Sequence, residues 1–130
     1  MPFLDNEFDL IIGVSVFTHL GEEDQFRWLA ELARVIKPGG IALMSIQGLI
    51  VCAINRVDLA IVEKLYCDHF LVTGLNHDLR GHVEDESYYK NVLHTPDYIF
   101  SFWSQYFEIV DIIPGLALPQ DLVVMRKPYP

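Results

Sequence analysis

The side chain best suited to moving a proton in this sequence is His19, which ends the run Gly13-Val14-Ser15-Val16-Phe17-Thr18-His19. Imidazole titrates near neutrality, so a histidine at the mouth of a cleft can act as a general base. The competing reading is structural, with His19 capping or packing under the helix that follows. Thr18 carries the same two readings. Gly13-Val14-Ser15-Val16-Phe17 begins like a nucleophile elbow, but Phe17 stands where that motif needs its second glycine. No Asp-then-His pair of suitable spacing follows, which argues against a serine hydrolase.

His77 and His82, with Glu84, Asp85 and Glu86, form the one histidine–carboxylate grouping that suggests a metal. Their spacing lacks the i, i+4 geometry of helical zinc motifs, and Gly81 marks a loop, so a solvated acidic loop is expected. His69 belongs to no motif, and His94 is expected at a strand end beside Thr95. Trp28 and Trp103 read as core residues. Cys52 and Cys67 form no C-x-x-C pair and each lies in an apolar stretch. Two buried, reduced thiols are expected, as in a cytoplasmic protein.

Charge narrows the partners. Nine Lys+Arg stand against eighteen Asp+Glu, a formal net charge of −9. Nucleic acid and anionic membrane surfaces would be repelled, since both are held by cationic side chains. A neutral or cationic small molecule fits better. No apolar run is long enough to span a bilayer, and the N-terminus lacks the features of a signal peptide. The hydrophobic fraction of 52% over 130 residues suffices for one domain with a core of its own.

Several elements must position these groups. Phe8–Val16 is nearly all apolar and predicts a strand covered on both faces, as in the parallel sheets of α/β proteins. Asp5-Asn6 before it signals a turn. Gly21–Lys37 predicts an amphipathic helix with acids crowding its first turn. Lys37-Pro38-Gly39-Gly40 should end it, and Ile41–Ile46 follows as a second strand. Strand, helix, turn and strand make one βαβ unit. A helix is expected over Arg56–Phe70, a polar loop over Thr73–Ser87 and a short strand over Tyr88–Leu93. Thr95-Pro96-Asp97 is a helix start, with threonine as N-cap and proline at the first position. That helix should run to about Tyr106. Strands at Phe107–Ile113 and Asp121–Met125, joined through Pro114–Pro119, close the chain.

Two stretches carry a family resemblance. Pro2-Phe3-Leu4-Asp5-Asn6-Glu7-Phe8-Asp9-Leu10-Ile11-Ile12, followed by Ser15-Val16-Phe17-Thr18-His19-Leu20, resembles the fourth strand of class I S-adenosylmethionine-dependent methyltransferases and the segments on either side of it. Leu29-x-Glu31-Leu32-x-Arg34-Val35-Ile36-Lys37-Pro38-Gly39-Gly40 is similar to the helix and turn before that family's fifth strand. Tyr88–Pro128 is similar, less tightly, to bacterial enzymes that methylate sugars or other small metabolites. Leu49–Ser87 carries no motif of the family.

The resemblance implies an α/β fold, the C-terminal part of a Rossmann-like methyltransferase sheet with strands in the order fourth, fifth, seventh, sixth. The strand Asp121–Met125 would insert antiparallel between Ile41–Ile46 and Phe107–Ile113. It implies S-adenosylmethionine as cofactor, with Ser15, Val16 and Phe17 nearest its methionine part, and Thr18 and His19 facing a small-molecule substrate. The family's glycine-rich turn and ribose-binding acid have no counterpart here, and no G-x-G motif occurs. Residues 1–130 are therefore expected to form a partial methyltransferase domain without its N-terminal cofactor-binding half, inactive alone. A shortened reading frame and half of a split protein both fit. The alternative function is a non-catalytic half-domain acting as a dimerising or partner-binding module. Either way, Phe8–Val16 would lack the first-strand neighbour it has in the family. A homodimer through that edge is expected.

Overall fold

A computed structural model of the protein describes residues 1–78, 80–82, 84–85 and 87–130. The chain builds a four-stranded mixed sheet with helices packed against it, and a two-stranded antiparallel hairpin beside it.

The lead-in behaves as its turn signal predicts. Asn6 takes a φ of 57°, and the next residues dock onto the end of the first helix, with Asn6 N donating to Arg34 O and Glu7 N to Val35 O. Arg34 gathers this segment by donating to Asp5 Oδ1, Phe3 O and both oxygens of Glu31. Those Arg34 bonds, with the N-terminal ammonium, hold the Glu31 carboxyl down at about 2.

Strand β1 (Phe8–Gly13) pairs in parallel with β2 (Ile36–Ile46), and helix α1 (Glu22–Val35) makes the crossover. Glu22, Glu23 and Asp24 fill the first turn of α1, where carboxylates complement the helix dipole. Leu29, Leu32 and Val35 bury its inner face. The helix stops at Val35, two residues before the expected end, because Ile36 is already extended with ψ 143°. Lys37-Pro38-Gly39-Gly40 is absorbed into β2 as an irregularity: β1 pairs Phe8 with Ile36 but Leu10 with Ile41. Gly39, at φ 79°, makes this possible.

The middle of the chain differs from expectation. A short helix not expected from the sequence, α2 (Leu49–Ile54), comes first, and the helix expected over Arg56–Phe70 follows it in shortened form as α3 (Leu59–Asp68). Arg56, at a φ of 50°, breaks the first, and Asp58 caps the second by accepting from Ala60 N at 2.9 Å. A left-handed His69 ends α3, and β3 (Phe70–Leu75) follows. Thr73–Leu75 is thus strand rather than loop, paired antiparallel with β4 (Lys90–His94).

Thr95 caps helix α4 (Pro96–Phe102) as expected, accepting from Tyr98 N. A 3-10 turn at Trp103–Gln105 then leads to β5 (Glu108–Ala117), which takes up most of the expected connection. β6 (Gln120–Arg126) inserts antiparallel between β2 and β5, giving the order β1-β2-β6-β5. That is the spatial order the resemblance implies.

The core lies between the sheet and helices α1 and α4, built on Phe17, Leu29, Ile36, Met44, Ile99, Trp103, Phe107 and Met125. Three expectations about burial are corrected. β1 is not covered on both faces: Leu10 and Ile12 are 51% and 60% exposed, and among the described residues β2 is its only paired neighbour. Cys67 is exposed on α3, whereas Cys52 on α2 is buried. Trp103 belongs to the core; Trp28 lies at the surface, with its indole N–H 3.4 Å from the Tyr88 hydroxyl.

Candidate functional site

Open α/β sheets bind ligands outside the carboxyl ends of their strands. Here those ends bring together the residues after β1, the end of β2 and the start of β6. Ser15 takes a φ of 56°, a left-handed conformation that few non-glycine residues adopt, so the chain turns sharply as it leaves β1. A closed ring of hydrogen bonds holds it there. Ser15 N donates to Ser45 Oγ at 2.7 Å, Ser45 Oγ donates to Gln120 Oε1 at 2.5 Å, and Gln120 Nε2 donates to Ser15 Oγ at 2.8 Å. One serine from each of two strand ends is thereby locked to a residue 105 positions from the first.

The next residues divide between surface and core. Val16 is exposed. Phe17 and Thr18 are buried in a 3-10 turn (Phe17–His19), and the Phe17 ring packs on Trp103 with centroids 4.9 Å apart. Thr18 Oγ1 has no hydrogen-bond partner among the described residues. His19 is half-buried and stacked on Tyr89 at 4.9 Å. Its Nδ1 lies 2.8 Å from Lys90 O, an acceptor only, so the proton sits on Nδ1. Asn76 Nδ2 lies 3.3 Å from the same nitrogen, but with Nδ1 protonated both are donors and no hydrogen bond joins them. Nε2 has no hydrogen-bond partner among the described residues and keeps its lone pair.

Beneath this edge lies a fully buried polar pair. Gln25, on α1, donates through Nε2 to Phe17 O and Leu20 O, both at 3.0 Å. Its side chain also meets His94, whose imidazole burial holds down at about 3 and therefore neutral. Gln25 thus anchors the turn that carries His19.

On the far side of β2, Asp121 is buried with its Oδ1 accepting from Gly115 N at 2.9 Å. Burial pushes this carboxyl above the usual carboxylate range, and it pushes the Cys52 thiol up as well. Beyond Gln47, a cavity of about 340 Å³ opens between α2, α3 and the β3–β4 hairpin.

Other sequence candidates stand apart. Among the described residues no group of histidines, cysteines and carboxylates is placed to hold a metal, and Glu86 lies outside them. His77 Nδ1 meets Arg80 at 3.2 Å, and Asp85 accepts from Ser87 within the acidic turn. His94 ends β4 as expected but is buried more deeply than a strand end requires. Ser45, Gln120, Gln25 and the residues around the cavity carry no spacing signal in the sequence.

Whether these residues suit S-adenosylmethionine can be judged from their exposure. Ser15 and Val16 offer an open wall at the carboxyl edge, whereas the Phe17 side chain is spent on the core, leaving its backbone alone for contact. These residues form a single wall, open on its outer side.

Comparison with known proteins agrees with the fold. Residues 1–44 match the family model described as a methyltransferase domain. Across 100% of the chain the fold is similar to a SAM-dependent methyltransferase from Methanosarcina mazei, at 15% identity and a TM-score of 0.58, covering 64% of that protein. It is similar to the PH0226 protein of Pyrococcus horikoshii over 99% of the chain and 58% of that protein, at 16% identity and a TM-score of 0.59. It is also similar to a putative methyltransferase from Haloferax volcanii, solved with the methyltransferase activator Trm112. That match covers 100% of the chain and 58% of the neighbour, at 14% identity and a TM-score of 0.58. The chain spans less than two-thirds of the length of each of these proteins. Among the described residues no helix is long and apolar enough to cross a membrane.

Proposed function

We propose that this chain, whose residues 1–44 match the methyltransferase-domain model and whose fold is similar throughout to part of a SAM-dependent methyltransferase, forms the acceptor side of a methyl-transfer site for a small molecule. The observation that carries this reading is His19. Its Nδ1–H is spent on Lys90 O, which orients the ring, and Nε2 keeps a free lone pair beside the sheet's carboxyl edge. Such an imidazole can take the proton from an acceptor O–H or N–H as that atom attacks. The cofactor supplies the electrophilic methyl group. This chain's residues orient and deprotonate the acceptor: the ring of Ser15, Ser45 and Gln120 holds the wall along the cofactor's methionine part, and His19 stands on the substrate side, whereas Thr18, expected beside it, is fully buried and out of a ligand's reach.

One wall does not make a cofactor site. We infer that S-adenosylmethionine is held jointly with polypeptide supplying a glycine-rich turn and a ribose-binding acid, and that residues 1–130 alone transfer no methyl group. The free cysteines and the absence of a membrane-spanning helix among the described residues support a cytoplasmic setting.

A second reading is favoured by the open edge of β1, where Leu10 and Ile12 are exposed beside unpaired backbone groups. In it the half-domain is a dimerising module, and two copies meet through Phe8–Val16.

Methyl-labelled S-adenosylmethionine and a metabolite extract test the first reading. Label should enter the low-mass fraction when the chain is joined to a polypeptide carrying the glycine-rich strand, turn and helix, and not with the chain alone. Turnover by the chain alone would overturn the joint site. Label in no acceptor fraction from the joined protein would overturn methyl transfer.

A further inference from the structure

The cavity beyond β2 is walled differently from the rest of the molecule. Gln47 follows β2 directly, with its carbonyl accepting from His94 N at 2.9 Å, so the cavity mouth borders the carboxyl edge. Asn55 ends α2, Asp58 starts α3, and Thr73 and Asn91 face it from the hairpin. The carboxamides of Gln47, Asn55 and Asn91 have no hydrogen-bond partner among the described residues. Asp58 uses Oδ1 to cap α3, and Oδ2 has no partner there. The Thr73 hydroxyl proton is committed to Asn91 O at 3.3 Å, leaving its oxygen able to accept. Val51 and Leu93, both buried, supply an apolar floor.

This set of groups selects a chemistry. A carboxamide offers two donors and an acceptor in one plane, and a hydroxyl is both donor and acceptor, so three carboxamides suit a ligand with several hydroxyls. Among the described residues no Lys, Arg or His lines the cavity, so a phosphate or carboxylate would find no counter-charge there. No aromatic ring lines it either, so a flat heterocycle would find no stacking surface. The apolar floor matches the C–H face of a saturated ring. The volume of about 340 Å³ lies at the small end of ligand pockets.

We propose that this cavity binds a neutral polyhydroxylated ring of monosaccharide size through Gln47, Asn55 and Asn91. The proposal rests on the small-molecule reading above and gives its acceptor a class. The ring would sit over Val51 and Leu93, with its hydroxyls on the carboxamides and on Asp58 Oδ2.

The test needs neither cofactor nor turnover, so its failure is separable from failure of the methyl-transfer reading. Methyl α-glucopyranoside, methyl α-mannopyranoside and methyl α-galactopyranoside, with glucose 6-phosphate and glucosamine, are titrated into the 130-residue chain, and nitrogen-15 spectra follow the side-chain amides. At least one neutral glycoside should shift the amides of Gln47, Asn55 and Asn91 saturably at millimolar concentration, and glucose 6-phosphate should not. Asn55→Ala, an exposed change that leaves the core intact, should weaken that binding at least fivefold, as should Asn91→Ala if its backbone spectrum remains native. No saturable shift with any neutral glycoside overturns the proposal. So does tighter binding of the phosphate, or a preference for the ammonium of glucosamine, which would put the Asp58 charge in command.

Discussion

Gln25 sets the tautomer of His94. The Gln25 amide nitrogen has two protons, and both are spent on Phe17 O and Leu20 O. Nothing remains for it to donate to His94, although the two nitrogens lie 2.9 Å apart. The bond therefore runs from His94 Nε2–H to Gln25 Oε1 at 3.0 Å, and the imidazole is neutral with its proton on Nε2. Nδ1 is buried without a partner among the described residues. A charged imidazolium would carry a second buried proton with nowhere to donate it, which is the same burial cost that depresses the pKa.

That depression predicts a pH dependence of stability. The ordinary value of 6.5 is held down to about 3 in the folded chain. Below 6.5 the unfolded state binds a proton that the native state refuses, so stability is full above 6.5 and falls as pH drops towards 3. The loss approaches about 1.4 kcal/mol per pH unit within that window. Glu31 contributes stability lost only below its ordinary 4.5. Asp121, raised by burial, acts with the opposite sign from its ordinary 3.8 upward, favouring the native state as acid is added. Urea denaturation between pH 4.5 and 6.5 should show the histidine slope, and His94→Gln should lose it while being less stable overall. An unchanged slope in that variant would assign the dependence elsewhere.

Gly48 is required by Asp121. A Cβ on Gly48 would lie 2.2 Å from Asp121 Oδ2, a buried carboxylate whose other oxygen is tied to Gly115 N. Gly48→Ala should therefore destabilise by about 1–3 kcal/mol, the range of overpacked core sites. Asp121→Ala removes the clash, so the double variant should be more stable than the sum of the two losses implies. Additive losses in thermal or urea melts would mean that the loop between β2 and α2 yields freely.

His19 is the residue on which the methyl-transfer reading turns. In the joined protein that turns over, His19→Ala should lower kcat about 10²-fold or more with little change in KM, the usual scale of a positioned base. His19→Gln should not restore it, since an amide can replace the bond to Lys90 O but cannot take a proton. Raised pH should recover part of the His19→Ala rate, as the acceptor ionises without help. Full activity in either variant would return His19 to a structural role.

The sheet was legible because its signals are local. β1, α1 and β2 follow from apolar runs, first-turn acids and Pro38-Gly39-Gly40, and Thr95-Pro96 marks α4 by its cap. Helix α2 was hidden because Leu49–Ile54 is one apolar run with no capping side chain and no charged residue at either end to mark it. Half of the candidate site was hidden for a different reason. Ser15 and His19 lie in one segment, but Gln120 reaches Ser15 through β6, which returns to the middle of the sheet from the far end of the chain. The carboxamides of the cavity come from β2, α2 and β4, and no spacing along the sequence relates them.

The edge of β1 predicts self-association. Leu10 and Ile12 project from one face of a strand that has a neighbour on one side only, and Val14 and Val16 extend the exposed apolar line beyond it. Shallow apolar hollows lie on either side, one of about 270 Å³ bounded by Phe3, Phe8 and Leu10, the other of about 220 Å³ by Val16, Trp28 and Leu32. The N-terminal segment does not pair with the edge, since its backbone is tied to Arg34 and to the end of α1. An apolar face beside unpaired N–H and C=O groups is a template for another chain. Two copies related by a two-fold axis would bring their β1 strands together antiparallel. Sedimentation at micromolar concentration should therefore show a dimer. Ile12→Glu, at a position already exposed in the single chain, should leave the fold intact and weaken association at least tenfold, because the two-fold interface would bury two like-charged carboxylates, one from each copy. The Val14 amide should exchange slowly in the dimer and quickly in that variant. A clean monomer with slow exchange at Val14 would mean that the chain shields its own edge.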